Sequence, residues 1–176
     1  LNFGGGFESQ AFYDHRRTVG VFVEVEESIG EYLTLSGSLR FDTTPDENDR
    51  FSPALGAALK IPYTTMVAFG NYSEGFKRPS FYALGSPLIG NPALRLETSR
   101  GWELGIRATA LDGKLRGQLS YFDTKVNNLI DFDTLTFSLI NRSRLVSQGV
   151  ELEFSWQALE WLDLRGGVTY NQTNFA

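Results

Sequence analysis

Apolar and polar residues alternate in steps of two along most of this chain. In residues 17–26, Val19, Val21, Val23 and Val25 fall on one face, and Thr18, Gly20, Phe22, Glu24 and Glu26 fall on the other. Successive strand side chains point to opposite sides of a sheet, so this spacing predicts a strand with one apolar face. A short turn at Ser28, Ile29 and Gly30 leads into residues 31–41, where Leu33, Leu35, Leu39 and Phe41 alternate with Tyr32, Thr34, Ser36, Ser38 and Arg40. The two segments read as a hairpin. The pattern recurs at 51–60, 65–74, 99–110, 114–124, 144–156 and 162–171, and 1–8 reads as a further strand. For 65–74 no faces are assigned. Asp112-Gly113 marks a tight turn between two of the segments. Nine strands are expected, with no sustained helical period and no linker between domains.

Alternation alone fits a soluble β-sandwich as well as a membrane barrel. Three features favour the barrel. The strands run to about nine to eleven residues, the length a tilted strand needs to cross a bilayer. Short turns alternate with long connections at 9–16, 42–50, 75–98 and 125–143, as in outer-membrane barrels with extended outer loops. Charges sit deep within the polar faces at Glu24, Arg40, Glu103, Arg107, Glu151, Glu153 and Arg165, which a wet lumen tolerates. Aromatic residues near strand ends, Phe41, Phe51, Tyr72, Tyr121, Trp156, Trp161 and Tyr170, suit the girdles at the lipid headgroups. Bacterial single-chain barrels have even strand counts, so a nine-stranded chain is a fragment, assembles with other strands, or is not a membrane protein.

Composition narrows the functional classes. There is no cysteine, which removes disulfides, thiolate metal sites and cysteine nucleophiles, and His15 is the only histidine. The formal charge is −5, without a basic block, so nucleic acid is not an expected partner. No run of about eighteen apolar residues exists, and no spanning helix is expected. Near-neutral mean hydropathy is no argument against a barrel, whose two faces average out. The opening LNFGGGFESQ lacks the pattern of a signal peptide.

The run NYSEGFKRPSF, followed by GNPALRLETSRGWELGIR, resembles a stretch in the barrels of TonB-dependent outer-membrane receptors. The residues that carry the likeness are Tyr72 to Phe76, Pro79, Asn91, Pro92, Leu94, Glu97, Ser99, Glu103 and Gly105. YFDTKVNNLIDF, INRSRLVSQGVELEFSW and FVEVEESIGEYLTLSGSLRFD resemble neighbouring landmarks, so the likeness covers nearly the whole chain. Leu96 departs from a usual proline and Gln148 from a frequent arginine. The resemblance implies an all-β, antiparallel up-and-down transmembrane β-barrel segment of about nine strands, in a barrel of about twenty-two. Residues 1–176 are thus expected to be a partial barrel domain, with no plug domain, no TonB box and no terminal strand. The implied function is uptake of a scarce nutrient in the bacterial outer membrane, such as a ferric siderophore or a corrinoid. The implied partners are the TonB-ExbB-ExbD system, acting through a plug, and outer-membrane lipid. No enzymatic activity and no cofactor are implied.

Within 75–98, Phe76, Lys77, Arg78, Phe81 and Tyr82 offer stacking surface and positive charge to an anionic metal chelate. The competing reading is that Phe76, Pro79 and Phe81 pack the loop against the wall. The acidic loop 42–50 carries oxygen donors, with Asp46 and Asp49 as calcium candidates, against the plainer reading of a solvated loop. Glu151 and Glu153 share a face but have no nucleophile or histidine beside them, so they read as lumen wall. Gly4 to Gly6 precedes no helix and is no phosphate loop. Alternatives to a receptor are a porin-like channel, a soluble β-sandwich binding module, and an outer-membrane enzyme whose triad would have to use His15.

Overall fold

Each alternating segment finds its backbone partners in the segment next to it in the chain. The computed structural model describes residues 15–45 and 48–175. Within them, eight strands form one antiparallel sheet in chain order. β1 (Val19–Ile29), β2 (Leu33–Thr43), β3 (Arg50–Lys60) and β4 (Met66–Lys77) precede one short helix, α1 (Phe81–Gly85). β5 (Glu97–Ala110), β6 (Leu115–Asp133), β7 (Ser138–Leu159) and β8 (Leu162–Phe175) follow. This is the expected up-and-down arrangement. The ninth predicted strand, 1–8, and most of the 9–16 loop lie outside the described residues.

Register decides what each face presents, because a one-residue slip would carry every side chain of a strand to the other side. Ile29 pairs with Leu33, Leu33 with Leu59, Leu59 with Ala68 and Ala68 with Ile106. Ile106 pairs with Leu119, Leu119 with Leu152 and Leu152 with Val168, which completes an apolar row across all eight strands. The adjacent row is Ser28, Thr34, Ala58, Phe69, Gly105, Ser120, Glu151 and Thr169, and it faces the other way. The register also assigns the faces of β4: Ala68, Gly70 and Tyr72 share the apolar side with Ile106, Leu104 and Trp102.

Nothing among the described residues covers the apolar side. Among the described residues only Phe69 and Ala83 are buried apolar side chains, while Leu55 is 62%, Leu104 57% and Val168 71% exposed. A contiguous apolar patch of this extent is an aggregation surface in water, whereas hydrocarbon solvates it. The second sheet that a sandwich needs is not found among the described residues. Aromatic side chains mark both borders of the apolar side. Phe41 and Phe51 stack with ring centroids 5.0 Å apart, and Trp102 and Tyr121 with centroids 5.3 Å apart. Tyr32, Tyr63 and Trp161 stand exposed at the opposite, short-turn end.

The connections differ by end. Short turns join β1 to β2, β3 to β4, β5 to β6 and β7 to β8. Leu111, Asp112 and Gly113 all take positive φ (52°, 53° and 90°) at the β5–β6 turn, which needs glycine most at its last position. At the other end lie 44–49, 78–96 and the top of β6–β7. Here one expectation is corrected: 125–143 is not a long loop. β6 and β7 continue as a ladder to Asp133↔Ser138 and close through a four-residue turn. The eight steps from Lys125 to Asp133 carry this hairpin about 27 Å along the strand at 3.4 Å per residue. A second correction is minor: α1, a single turn too short to show a period, lies within the 75–98 segment.

Substituting arginine for Leu152, in the exposed apolar row, is expected to destabilise the barrel by about 2–4 kcal/mol. The same substitution at Thr169, on the opposite face, should be tolerated. Folding yields of the two variants of the intact barrel into liposomes check this. Equal yields would contradict the face assignment.

Candidate functional site

The long-loop end gathers the residues that chemistry singled out. Ser80 caps α1 by accepting the Ala83 amide at 3.1 Å. This cap and the buried Pro79 fix how the chain leaves β4. The Arg78 guanidinium stacks 4.8 Å from the Phe76 ring centroid, and that of Arg16 stacks 5.1 Å from Phe81 while donating to the Pro79 carbonyl at 3.2 Å. Phe76 and Phe81 are thus half-buried supports for arginines rather than open stacking surface. Lys77 meets Glu97 at 3.2 Å; its side chain is 78% exposed and that of Glu97 only 8%. Tyr82 projects outward, 56% exposed. The phenylalanines thus brace arginines, Lys77 and Tyr82 are exposed at this end, and Arg78 lines a cavity beside Pro79.

The segment after α1 is held by the β6–β7 hairpin. Asn91 donates through Nδ2 to the Leu139 carbonyl at 2.9 Å, and its Oδ1 accepts from the Ala93 amide at 2.9 Å. The Leu139 amide donates to the Ile89 carbonyl at 2.8 Å. Asn141 accepts from the Arg95 amide at 2.7 Å and donates to the carbonyls of Arg95 and Asn128 at 2.9 and 2.7 Å. Glu97 accepts the Ile130 amide at 2.8 Å. The Asn-Pro and Glu positions of the sequence motif are therefore fasteners between loop and hairpin. Asn128, with φ 55°, takes a left-handed conformation that asparagine tolerates better than most residues.

The hairpin tip carries its own charges. Asp131 accepts from Arg142 Nε at 2.5 Å and from the Phe132 amide at 2.8 Å. The arginine first, and then that amide, hold its carboxyl below the ordinary carboxylate value of 3.8. Asp133 accepts from the Thr136 hydroxyl at 2.7 Å, which lowers it likewise.

Sequence reading missed two mouth residues. Arg16 and Arg50 join Arg78, Pro79, Leu84 and Leu94 around a cavity of about 360 Å³. Neither lies in the segment that carried the motif, so only the pairing of strands brings them there. Of the calcium candidates, Asp46 lies outside the described residues and Asp49 is exposed. Asp42 is taken by Arg40, whose Nε and Nη2 donate to it at 2.7 and 2.8 Å. Among the described residues no three acidic, histidine or cysteine side chains gather as a metal site.

A single sheet with a bare apolar face and a polar mouth is the wall of a membrane barrel, and its relatives agree. Residues 2–176 match the family described as TonB dependent receptor-like, beta-barrel. The chain belongs to this family. It is 26% identical over 135 residues to the ferric-pyoverdine M114 receptor PbuA of Pseudomonas sp. (strain M114), a match covering 75% of this chain and 16% of that protein. It is 28% identical over 124 residues to the vitamin B12 transporter BtuB of Vibrio cholerae, covering 69% of this chain and 19% of that protein. The siderophore receptor PirA from Pseudomonas aeruginosa shares the fold, with a TM-score of 0.76 at 24% identity over 89% of this chain and 32% of its own. The chain thus spans less than a fifth of either curated relative. TonB-dependent receptor barrels are outer-membrane proteins, with short turns on the periplasmic side and longer connections outside.

Asn141→Ala removes three hydrogen bonds at once, each worth about 0.5–1.5 kcal/mol net. Hydrogen exchange in the intact receptor should then speed up together in 86–97 and 126–142, and unchanged exchange in 86–97 would contradict the fastening role. A lowered carboxyl adds stability above its unfolded value, near 3.8, and loses it as pH falls through the folded value. The hairpin tip should therefore be as protected at pH 5 as at pH 7 and loosen below about pH 4, after correction for intrinsic exchange rates. Asp131→Asn should remove part of that pH dependence.

Proposed function

We propose that this chain is part of the barrel wall of a receptor that imports a scarce nutrient, a ferric siderophore or a corrinoid, across the bacterial outer membrane. The match of residues 2–176 to TonB-dependent receptor barrels carries the reading. The names of the relatives support the substrate range, since one is a ferric-pyoverdine receptor and another a vitamin B12 transporter. A sheet edge cannot lie bare in hydrocarbon, so β1 and β8 are completed by further strands of a larger barrel. Energy comes from the TonB-ExbB-ExbD system through a plug domain carried outside this segment. No covalent chemistry takes part.

In this reading the mouth recognises its ligand first. Tyr82 offers an exposed ring, and Lys77 and Arg78 offer positive charge. Phe76 and Phe81 act through the arginines stacked on them. Fastening the connection to the β6–β7 hairpin keeps this surface ordered before the ligand arrives, which lowers the entropic cost of binding.

The test is uptake by cells expressing the full-length receptor, supplied with radiolabelled ferric siderophores and cobalamin. One of these should enter in a manner abolished by a protonophore, and Lys77→Ala with Tyr82→Ala should raise the half-saturating concentration about tenfold, the equivalent of 1.4 kcal/mol of binding. Uptake that is insensitive to the protonophore and linear in concentration would instead show a porin-like channel.

A further inference from the structure

The lipid-facing side of the sheet changes character at a defined height. On β5 to β8, Leu104, Tyr121, Val150 and Tyr170 are register partners in one apolar row. One row further toward the long connections stand Trp102, Asp123, Gln148 and Gln172, and beyond them Arg100, Lys125, Val146 and Asn174. Asn127 and Arg144 pair in the row after that. The four cations on this side of the eight strands, Arg100, Lys125, Arg142 and Arg144, therefore all lie on β5 to β7, just past the aromatic border. The same side of β1 to β4 and of β8 carries none. Toward the short turns its strand charge is the acidic Glu27, register partner of Leu35.

Three of these cations form one group. Arg100 and Lys125 are direct partners, with Cβ atoms about 5 Å apart, and Arg144 stands diagonally from Lys125 at about 7–8 Å. Arg142, further out, is bound to Asp131. Lys125 meets Asp123 at 3.3 Å. Glu74, the register partner of Arg100, accepts the Tyr72 hydroxyl at 2.5 Å instead of pairing with the arginine. Arg100 and Arg144 make no ion pair among the described residues, and the half-buried Arg144 has its Nε closed off from water without a hydrogen-bond partner. Three cations against Glu74 and Asp123 leave an excess of one positive charge. Tyr72, Arg100, Gly101, Trp102, Asp123 and Lys125 line a cavity of about 200 Å³ at this border.

The place of the group decides what meets it. β5 to β7 lie inside the sheet, with β4 and β8 beside them, so this side of them faces the membrane and not the lumen. The long connections are external, which puts the group at the height of the outer-leaflet headgroups. A guanidinium offers phosphate two parallel N–H donors, and a lysine adds a point charge. A free anion would find only the cations. A lipid would also cover the exposed apolar row directly beneath them.

We propose that Arg100, Lys125 and Arg144 hold the phosphate groups of an outer-leaflet lipid, whose acyl chains lie along Leu104, Tyr121 and Val150. Trp102 and Tyr121, stacked on each other, mark the level where headgroup gives way to chain. The site rests on the seat of the barrel in the outer membrane and not on the cargo it carries. Uptake that ignores the protonophore would sink the import reading and leave this lipid site standing.

Titration of the intact receptor in detergent with lipid A, a glycolipid bearing two phosphates, tests the site, with bound lipid counted by native mass spectrometry. Arg100→Gln with Arg144→Gln should weaken binding about tenfold or more, since each cation beside an anionic headgroup is worth about fivefold. Arg100→Lys with Arg144→Lys should keep most of the binding, and Arg116→Gln, on the lumen side, should leave it unchanged. Dephosphorylated lipid A should bind the wild type as weakly as lipid A binds the glutamine pair. That comparison needs no variant, and it keeps the test valid if the glutamine pair does not fold. Excess pyrophosphate should not displace the lipid; displacement would mean a site for free phosphate and overturn the proposal. Equal binding of lipid A by wild type and the glutamine pair, equal binding of the dephosphorylated lipid, or equal weakening by Arg116→Gln overturns it too.

Discussion

Hydrocarbon offers a backbone amide no hydrogen-bond partner, so every strand within the apolar belt must satisfy its main chain sideways, through its neighbours. That constraint fixes most of what is seen in this sheet. The pairing runs β1 to β8 without a crossover, and one register error anywhere would turn the polar residues of a strand toward lipid. The row from Ile29 to Val168 stays in phase through seven pairings. Backbone pairing and the partition of side chains between lipid and lumen therefore reinforce one another, and no packed interior is needed. The near absence of buried apolar side chains, Phe69 and Ala83 aside among the described residues, is a consequence of that division.

Above the belt the constraint relaxes, because water can satisfy the main chain. Strand length then no longer follows bilayer thickness, and β6 and β7 run to 19 and 22 residues. Order there comes from polar fasteners instead. Asn91, Asn141 and Glu97 tie the β4–β5 connection to the hairpin through backbone groups. Such bonds are directional and individually modest. They position a surface without making it as stable as the wall, which suits a mouth that must meet a ligand.

The same division explains what the sequence reveals. Within the belt one face must be apolar, so residues 17–26 and 99–110 announce themselves by strict alternation, and their strands and faces appear where expected. At 125–143 both faces are wet. Leu129 and Ile130 stand side by side, as do Leu139 and Ile140, so there is no period of two to read, although the residues pair as a regular ladder. The mouth was legible only in part. Phe76 to Tyr82 lie together in sequence, but Asn91 meets Leu139 across 48 positions, and Arg16 and Arg50 reach Arg78 through strand pairing. No local pattern encodes such partners. The lone turn of α1 is likewise too short to leave a helical period.

Charge is distributed on a different principle from hydrophobicity. At the mouth, Lys77 is balanced by Glu97 and Arg142 by Asp131. Balanced pairs exposed to water contribute little free energy and are screened by salt. They define shape more than attraction. Deeper in the lumen Arg107, Arg116 and Arg165 make no ion pair among the described residues, and Gln118, Ser155, Thr109 and Glu153 line the wall around them. A charge excess costs stability through self-repulsion unless something compensates it. Because the register places all three on one face of one sheet, that cost is written into the same pairing that builds the wall. The register therefore sets where along the wall positive charge is concentrated as well as which face is apolar.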